Sequence, residues 1–390
     1  MNTLIQDYLL NHSLSDLETE HAVFASPSKC KTKFSLNYDQ ISANENNPIA
    51  KECRGLILRI DPSCIDDKTK VVGQTQIVAF PFTRFFNYGQ GCAANVDFNS
   101  ISVTEKLDGT LIILYFDHLA DCWHTATRSV PEANIEITGF SYTFRTLFEK
   151  ALRDSLNISF HEFTKNLDKS NTYCFELTSP YNQVVVKYEN TSITLLMIRN
   201  NQTKLEYDIY SYDINCPKVM KYNLNILQNI LDYVSSVNPV EHEGVVVFDS
   251  KFNRVKIKNM NYMAFSKIRD SVGKSDRNLV ELILNEKDDD SEPFLPKEIV
   301  QRMHDYKTKI SSLFHQYDEL FHEVKSSIPS DSQNPKKEFA IKITTKNVWS
   351  APFFKMFDGK CKNMKDFFAQ NKSFDGWSNQ MIDSLLDRIT

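Results

Sequence analysis

The chemistry that the sequence indicates most clearly is centred on one lysine. Lys106 lies in the segment TEKLDGT at 104–110, directly before the apolar run Leu111–Phe116. A lysine before a tight Asp-Gly turn and a buried strand is held rigidly, and Gly109 permits a close backbone approach that a side chain would block. Lysine acts as a covalent nucleophile when its amine is uncharged, against a reference pKa of about 10.4. Alone, the pattern is weak evidence, because an exposed lysine in a hairpin would look the same.

Two later segments each supply a carboxylate. In the run YCFELT at 173–178, the alternation of a strand puts Glu176 on one face and its neighbour Phe175 on the other. The run EGVVVF at 243–248 places Glu243 and a glycine at the start of an apolar strand. Both carboxylates therefore lie at positions from which they could face a common site.

A third segment supplies positive charge. The run RVKIK at 254–258 puts Arg254, Lys256 and Lys258 on one strand face and two apolar residues on the other. Like charges side by side repel one another unless something anionic lies over them. The segment fits a phosphate-binding strand, and it equally fits a solvated edge strand.

Taken in this order, the segments resemble the motifs of the covalent nucleotidyltransferase superfamily of ligases and mRNA-capping enzymes. The resemblance is greatest to the phage-type RNA ligase 1 family, whose members repair broken tRNA, and it spans residues 34–262. Further matching elements are FSLNY at 34–38, ECRG at 52–55, RFFN at 84–87, PYNQVV at 180–185, and Tyr262. At two positions, Arg84 and Arg128, an arginine stands where the family has a lysine, which keeps the charge and alters its geometry.

The resemblance implies a role for each matching residue. Lys106 would receive AMP from ATP, with Lys256 and Lys258 as catalytic cations at the α-phosphate. Glu176 would bind the ribose hydroxyls, and Glu243 would hold a divalent metal, Mg²⁺ or Mn²⁺. The other expected nucleotide-binding residues are Arg54, Arg84, Phe86, Glu105, Arg128 and Tyr262. Among these, the two arginines Arg54 and Arg84 would bind phosphates. Phe86 would stack on adenine, unless it is an ordinary core aromatic.

The elements that must position these residues fall into two regions. Short β-rich runs are predicted at Gly55–Ile60, Ile77–Phe80, Leu111–Phe116, Val184–Val186, Ile193–Ile198 and Val245–Phe248, with a helix at Ser141–Asn157. Beyond about residue 264, apolar residues recur at steps of three and four from Ile299 to Val324, which predicts a long helix between Pro296 and Pro329. Shorter helices are expected at Lys336–Thr344 and Ser378–Ile389.

The predicted fold class is therefore α+β. We expect a mostly antiparallel nucleotidyltransferase domain at 1–265, with the ATP-grasp-like ligase fold that the resemblance implies. An all-helical domain at 266–390 is expected to select the RNA substrate.

The chain has 390 residues and a formal charge of −5, so no global basic field indicates a passive nucleic-acid coat. The eight cysteines are scattered without metal-site spacing, which is typical of reduced thiols in a cytosolic protein.

The expected partners follow from the resemblance. They are RNA ends that carry a 5′-phosphate and a 3′-hydroxyl, with broken tRNA as one candidate. No kinase P-loop is present in the sequence, so we expect a separate kinase and phosphatase to heal the ends. No signal peptide or membrane span is predicted, and we expect a monomer in the cytoplasm, or in the host cytoplasm for a phage-encoded protein.

Three alternatives remain. A DNA ligase or an mRNA-capping guanylyltransferase would share the core motifs, but both usually have an OB-fold after the last lysine motif, where this chain has helical patterns. A non-catalytic protein that binds RNA ends would not need an intact nucleophile. The presence of Lys106, Glu176, Glu243, Lys256 and Lys258 argues against that alternative.

Overall fold

The computed structural model describes residues 2–39, 42–137, 139–239, 241–259, 262, 276–284, 295, 297–346, 348–371 and 377–389. The chain forms two compact units, Met1–Met263 and Ala264–Thr390. The first unit is α+β, and its described strands pair antiparallel in every case but one. The described residues of the second unit contain helices and no strand.

Fourteen strands and seven α-helices make up the described part of the first unit. The strands β1–β14 are Val23–Pro27, Phe34–Tyr38, Arg54–Arg59, Gln76–Ala79, Phe86–Asn87, Ser102–Glu105, Thr110–Asp117, Cys122–Ala126, Asn171–Thr178, Ser192–Asn200, Glu206–Tyr207, Lys221–Tyr222, Gly244–Phe248 and Arg254–Lys258. The helices α1–α7 are Leu4–Leu9, Leu14–His21, Pro48–Glu52, Ser63–Asp66, Phe144–Leu156, Phe160–Thr164 and Leu227–Ser236, with a short 3-10 helix at Phe98–Ser100.

The described strands of the first unit form three sheets. Their strand orders are β1-β2-β3-β4, β11-β10-β9-β7-β8 and β12-β6-β13-β14-β5. One face of the second sheet packs on α5 and α6 through residues such as Phe148 and Phe163, and the other face meets Ile57 and Val78 of the first sheet. The third sheet packs on α7 through Ile230. The second and third sheets contribute the strands on both sides of Lys106.

Most of the strand and helix predictions are confirmed. The helix predicted at 141–157 is α5, where Thr143 caps the first turn and Asn157 ends the helix in the left-handed region at φ 54°. Its buried stripe includes Leu147 and Leu152. In β9, Phe175 packs in the core under α5, on the face opposite Cys174, as the alternation predicts.

The predicted strand at Val184–Val186 is wrong. The segment forms bends and pairs with no described strand. The buried backbone N–H groups of Val185 and Val186 donate to the carboxylate of Asp108. An apolar run predicts burial, but it does not reveal that a side chain 77 residues away accepts the hydrogen bonds.

The second unit has a hydrophobic core of its own. Its described helices α8–α13 are Asp276–Leu284, Lys297–Ser326, Pro335–Thr344, Ser350–Phe357, Met364–Gln370 and Asn379–Ile389. The long helix α9 confirms the predicted period, because Met303, Ile310, Tyr317 and Val324 are buried in that core. In the described parts of both units, no helix is long and apolar enough to cross a membrane.

A buried ion pair links the first two sheets. The Nζ of Lys33 lies 2.7 Å from Asp117 Oδ2, and both side chains are 1% exposed; Arg59 donates to the other oxygen at 2.7 Å. Burial alone would raise the pKa of Asp117, but the hydrogen bonds from Lys33 and Arg59 outweigh it and hold that pKa well below its ordinary value. The end of β7 is therefore fixed to the first sheet by charge as well as by packing.

We predict that Lys33→Met destabilises the protein by about 3 kcal/mol, because it removes one partner of a buried charge. The measurement is the free energy of unfolding in urea. Lys31→Met is the matched control, since Lys31 pairs with Asp66 at 3.0 Å with both side chains largely exposed, and such pairs contribute roughly 0–1 kcal/mol. Equal losses for the two variants would contradict the structural role of the buried pair.

Candidate active site

Lys106 occupies the turn between β6 and β7. Its backbone N–H donates to the carbonyl of Gly244 at 3.0 Å, which ties the turn to the start of β13. Its Nζ lies 2.5 Å from Glu243 Oε2, and its side chain is 21% exposed. The amine is thus positioned by contacts at both ends of the residue and remains reachable from solvent.

The aspartate of the turn has a structural role. One oxygen of Asp108 accepts the N–H groups of Val185 and Val186 at 2.7 Å each, and the other accepts the hydroxyl of Tyr262 at 2.8 Å. Asp108 is 4% exposed, so its charge is satisfied by these donors rather than by water. The carboxylate therefore holds the Lys106 turn against two distant segments. The predicted residue Tyr262 thus lies at Asp108, to which its hydroxyl donates.

Glu176 lies against the same turn. The N–H of Gly109 donates to Glu176 Oε1 at 3.0 Å. A Cβ on Gly109 would lie 2.3 Å from the carbonyl oxygen of Leu177, so only glycine allows β7 to approach β9 this closely. Burial raises the pKa of Glu176 to about 7, and the negative charge of Glu243 adds to the increase, whereas Lys106 opposes it.

Glu243 bridges two lysines. Its Oε2 contacts Lys106, and its Oε1 lies 2.8 Å from the Nζ of Lys258. Glu243 is 3% exposed. The next residue, Gly244, has φ +145°, and a Cβ there would lie 2.2 Å from the carbonyl oxygen of Ile257. This close approach of β13 and β14 brings the carboxylate and both amines together.

Lys256 lies beside these groups on the same strand face as Lys258. Burial lowers its pKa to about 7, and the charges of Lys106, Arg54 and Lys258 lower it further. The third cation of the strand, Arg254, is neutralised inside the protein, because its guanidinium donates to Glu206. Two of the three cations of the strand therefore lie beside Lys106, and the third lines the cavity while paired with Glu206.

A second group of cations surrounds two aromatic rings. The guanidinium of Arg84 lies 4.3 Å from the ring centre of Tyr38 and 4.9 Å from that of Phe86, and Arg128 lies 5.9 Å from the Tyr38 ring. Lys51 lies 5.3 Å from the Phe86 ring. In this part of the described structure, the carboxylate in contact with Arg84 is Glu45, at 3.3 Å. Aromatic faces thus hold several positive charges close together.

Two arginines, Arg54 and Arg84, each have a buried nitrogen without a hydrogen-bond partner among the described residues. Within the described residues, Nη1 of Arg54 and Nη1 of Arg84 make no hydrogen bond. Burial lowers the pKa of Arg54, and nearby Arg128 adds to that decrease. Guanidinium groups with unused donors are suited to phosphate oxygens. The arginines Arg54, Arg84 and Arg128 form a cluster that extends the positive charge from Lys256 toward the first sheet.

A cavity of about 550 Å³ opens in front of Lys106. Five of the predicted residues line it: Arg54, Glu105, Lys106, Arg128 and Glu176. The others lie outside its lining: Arg84, Phe86, Glu243, Lys256, Lys258 and Tyr262. Of these, Glu243 touches Lys106 directly, and Lys258 touches Glu243.

The ring of Phe86 does not face this cavity. Phe86 is 5% exposed and lies between Lys51 and Arg84, whereas its neighbour Phe85 lines the cavity with Phe82. Adjacent residues of an extended segment point to opposite sides. Phe86 therefore shares the side of Arg84, and the ring that lines the cavity is that of Phe85. Alternation along RFFN relates Phe86 to Arg84, but it does not reveal which of the two sides faces the cavity.

No group of three or more His, Cys, Asp and Glu side chains suited to a metal ion occurs in the described ranges. A carboxylate next to the phosphates of a bound nucleotide is nevertheless a usual arrangement for Mg²⁺, which keeps several waters and few protein ligands. Buried Glu243 and the nearby Glu176 are oxygen donors of the type that such an ion prefers. Burial is the main cause of the raised pKa of Glu176, and the charge of Glu243 adds to it.

Comparison with known proteins agrees with this geometry. Residues 52–262, more than half of the chain, match the family model of the phage T4 RNA ligase 1 type, which is described as RNA ligase. The chain belongs to the phage-type RNA ligase 1 family. The matched region includes every predicted site residue, from Arg54 to Tyr262.

Individual relatives are similar over different lengths. A protein of Autographa californica nuclear polyhedrosis virus, described as a bifunctional polynucleotide kinase/RNA ligase, is 31% identical over 272 residues, 65% of this chain and 36% of the viral protein. The chain thus spans about a third of that relative. The RNA ligase of Rhodothermus phage RM378 is 23% identical, covering 80% of this chain and 82% of its own. A solved archaeal ATP-dependent RNA ligase covers 86% of both chains at 12% identity and a TM-score of 0.42.

We predict that the free energy of unfolding of Glu176→Gln, measured relative to that of the wild type, increases as the pH rises from about 4.5 to 7. In this range the unfolded glutamate is already ionised, while the folded one keeps its proton. Raising the pH therefore costs the folded wild type up to about 1.4 kcal/mol per pH unit, and the amide avoids that cost. Urea unfolding at several pH values measures the difference.

Glu189→Gln, at an exposed position, is the control, and its difference from the wild type should stay small throughout this pH range. A Glu176→Gln difference that is equally flat would show that the carboxyl is not held in its neutral form.

Proposed function

We propose that the protein is an ATP-dependent RNA ligase that joins a 5′-phosphate end to a 3′-hydroxyl end through an adenylate on Lys106. One observation carries the proposal. The amine of Lys106 is fixed at the wall of a cavity, and three other cations, Arg54, Lys256 and Lys258, lie around it. Family membership supports the same reaction.

In the first step, Nζ of Lys106 attacks the α-phosphorus of ATP. A phosphorus–nitrogen bond forms, the bond from that phosphorus to the bridging oxygen breaks, and pyrophosphate leaves; the amine loses its proton. Negative charge accumulates on the phosphate oxygens, so positioned cations lower the barrier. We assign this task to Lys256 and Lys258 at the α-phosphate.

The outgoing phosphates need their own donors. Arg54 and Arg84 each have an unused buried N–H group, and Arg128 lies with them around Tyr38. We assign this cluster to the outer phosphates of ATP and to the 5′-phosphate of the RNA, which would use the same donors in turn. Glu176 is assigned to the ribose hydroxyls, because an ionised carboxylate is an acceptor for both.

Glu243 would hold the divalent cation, Mg²⁺ or Mn²⁺, together with water and phosphate oxygens. Such an ion supplies charge neutralisation during phosphoryl transfer. The residue's own part is to position Lys106 and Lys258, since both amines contact its carboxylate.

Two transfers follow the lysyl adenylate. An oxygen of the RNA 5′-phosphate attacks the adenylate phosphorus, breaks its bond to Lys106 and gives an RNA adenylate. A 3′-hydroxyl then attacks the RNA phosphate, forms the phosphodiester bond and releases AMP. Broken tRNA is the proposed physiological substrate, with its ends healed by a separate kinase and phosphatase and the ligase acting as a monomer in the cytoplasm or host cytoplasm.

We predict that Lys106→Ala abolishes transfer of labelled AMP from α-labelled ATP to the protein, because the variant has no nucleophile. The measurement is labelled protein on a denaturing gel, with Lys68→Ala, an exposed lysine, as the control. The variant should still seal RNA that is already adenylated, since that step does not use the lysine amine. Labelling of Lys106→Ala would refute the assignment.

The same assay separates the alternatives. Wild-type labelling from ATP supports a ligase, labelling from GTP supports a capping guanylyltransferase, and no labelling supports a binding protein. Matched RNA and DNA substrates then distinguish an RNA ligase from a DNA ligase.

We predict that a protein truncated after Met263 still forms the lysyl adenylate but loses most of its sealing of broken tRNA. The first unit has its own hydrophobic clusters, and the described residues that line the cavity belong to it. The measurements are the adenylation rate and the rate of tRNA sealing. Sealing at the full-length rate would show that residues 264–390 do not select the substrate.

A further inference from the structure

A small hairpin at the cavity mouth has no role in the reaction described above. Its described residues are 135–137 and 139–144: Phe144 N–H donates to the carbonyl of Ile135 at 3.2 Å, and Ile137 N–H donates to that of Tyr142 at 2.8 Å. Ile135 and Phe144, at its base, line the same cavity as Lys106. The hairpin therefore starts in the cavity wall, and its turn leads away from it.

The turn of this hairpin presents an aromatic ring to solvent. Phe140 is 46% exposed, and its N–H donates to the carbonyl of Ile137 at 3.0 Å, next to Gly139 at φ +84°. The Phe140 ring lies 5.2 Å from that of Tyr181, and the Tyr181 ring lies 4.9 Å from that of Tyr142. We call these three residues, Phe140, Tyr142 and Tyr181, the aromatic rim.

The rim is attached to the cavity from its other side as well. Tyr181 lies in the turn after β9, where its N–H donates to the Ser179 hydroxyl at 3.1 Å. The neighbouring amide of Asn182 donates to the Thr110 hydroxyl at 3.0 Å, and Thr110 lines the cavity. Two separate chain segments therefore bring aromatic rings to one edge of the catalytic cavity.

Packing accounts for two of the three rings. Tyr142 and Tyr181 pack against the core under α5, whereas Phe140 is not part of that core. A large aromatic ring left nearly half exposed forgoes much of the free energy that burial would give it. The hairpin that carries this ring begins at Ile135 and ends at Phe144 in the cavity lining, so a ligand that enters the cavity and extends along the hairpin would cover the ring.

A nucleotide has the chemistry that fits both parts. Its phosphate matches Arg54 and Arg128 in the cavity lining, and the face of its base matches an exposed aromatic ring outside. Stacking on aromatic side chains tolerates any base, because every base has a π face. We propose that the aromatic rim stacks a terminal base of the RNA whose end is joined at Lys106. This inference rests on the proposed ligase function.

The test compares full-length variants in two reactions. Phe140→Ala should raise the KM for RNA in sealing about tenfold and leave the rate of lysyl-AMP formation from ATP unchanged, because only the RNA uses the rim. Phe140→Trp should restore the KM, whereas Phe140→Leu, which keeps apolar volume without a π face, should not. Phe24→Ala is the matched control: Phe24 is 43% exposed in β1 of the first sheet.

A fluorescent base identifies which end is stacked. 2-Aminopurine is placed at the first nucleotide of the 5′-phosphate strand or at the last nucleotide of the 3′-hydroxyl strand. The fluorescence should be quenched on binding to the wild type and to Phe24→Ala, but not on binding to Phe140→Ala or Phe140→Leu. This result would support stacking on the aromatic rim, and the position of the quenched base shows which strand is stacked.

Unchanged KM and unchanged quenching in both the alanine and leucine variants would overturn the inference while the ligase function stands. A wild type that forms no lysyl-AMP would overturn both. If Phe140→Ala fails to fold, the comparison of Phe140→Leu with Phe140→Trp gives the same decision.

Discussion

A single buried carboxylate organises the candidate active site. Glu243 contacts Lys106 with one oxygen and Lys258 with the other, so it joins the turn after β6 to the end of β14. Without it, two amines beside Lys256 would repel one another in a partly buried place. Removing one member of such a group costs more than the contact itself contributes, since the remaining charges stay buried without a partner.

The geometry around this carboxylate comes from the backbone. Gly109 allows β7 to approach the Leu177 carbonyl, and Gly244 allows β13 to approach that of Ile257. Asp108 then holds the turn with three donors from distant segments. Lys106 is held in position because each neighbouring element is fixed by a contact that tolerates little displacement. The nucleophile that we propose would need support of this kind.

Local patterns were sufficient for much of this structure. The period of apolar residues predicted α9, and alternation in YCFELT placed Glu176 opposite the core. These features depend on neighbours in sequence, and chain geometry alone determines which face they occupy. The grouping of the carboxylates and lysines near Lys106 was expected from the family resemblance of the ordered motifs.

The errors have a common cause in contacts between distant residues. Val184–Val186 looks like a strand until Asp108 accepts its N–H groups. The sequence of RVKIK likewise does not reveal that Arg254, unlike the two lysines after it, pairs with Glu206. Phe85 and Phe86 differ only in which side of a short segment they face, and Lys51 and Arg84 lie on the Phe86 side. The local sequence pattern of each segment does not reveal the distant residue that it contacts in the folded chain.

The electrostatic state of the site links nucleotide binding to protons. Burial lowers the pKa of Lys256 to about 7 and raises that of Glu176 to about 7, so both groups titrate near neutrality. An anionic phosphate near Lys256 favours its charged form, because the opposite charge offsets the neighbouring cations. By linkage, a proton on Lys256 must strengthen phosphate binding to the same degree. The burial that lowers the pKa of Lys256 would therefore make its charge depend on the phosphate that we propose it binds.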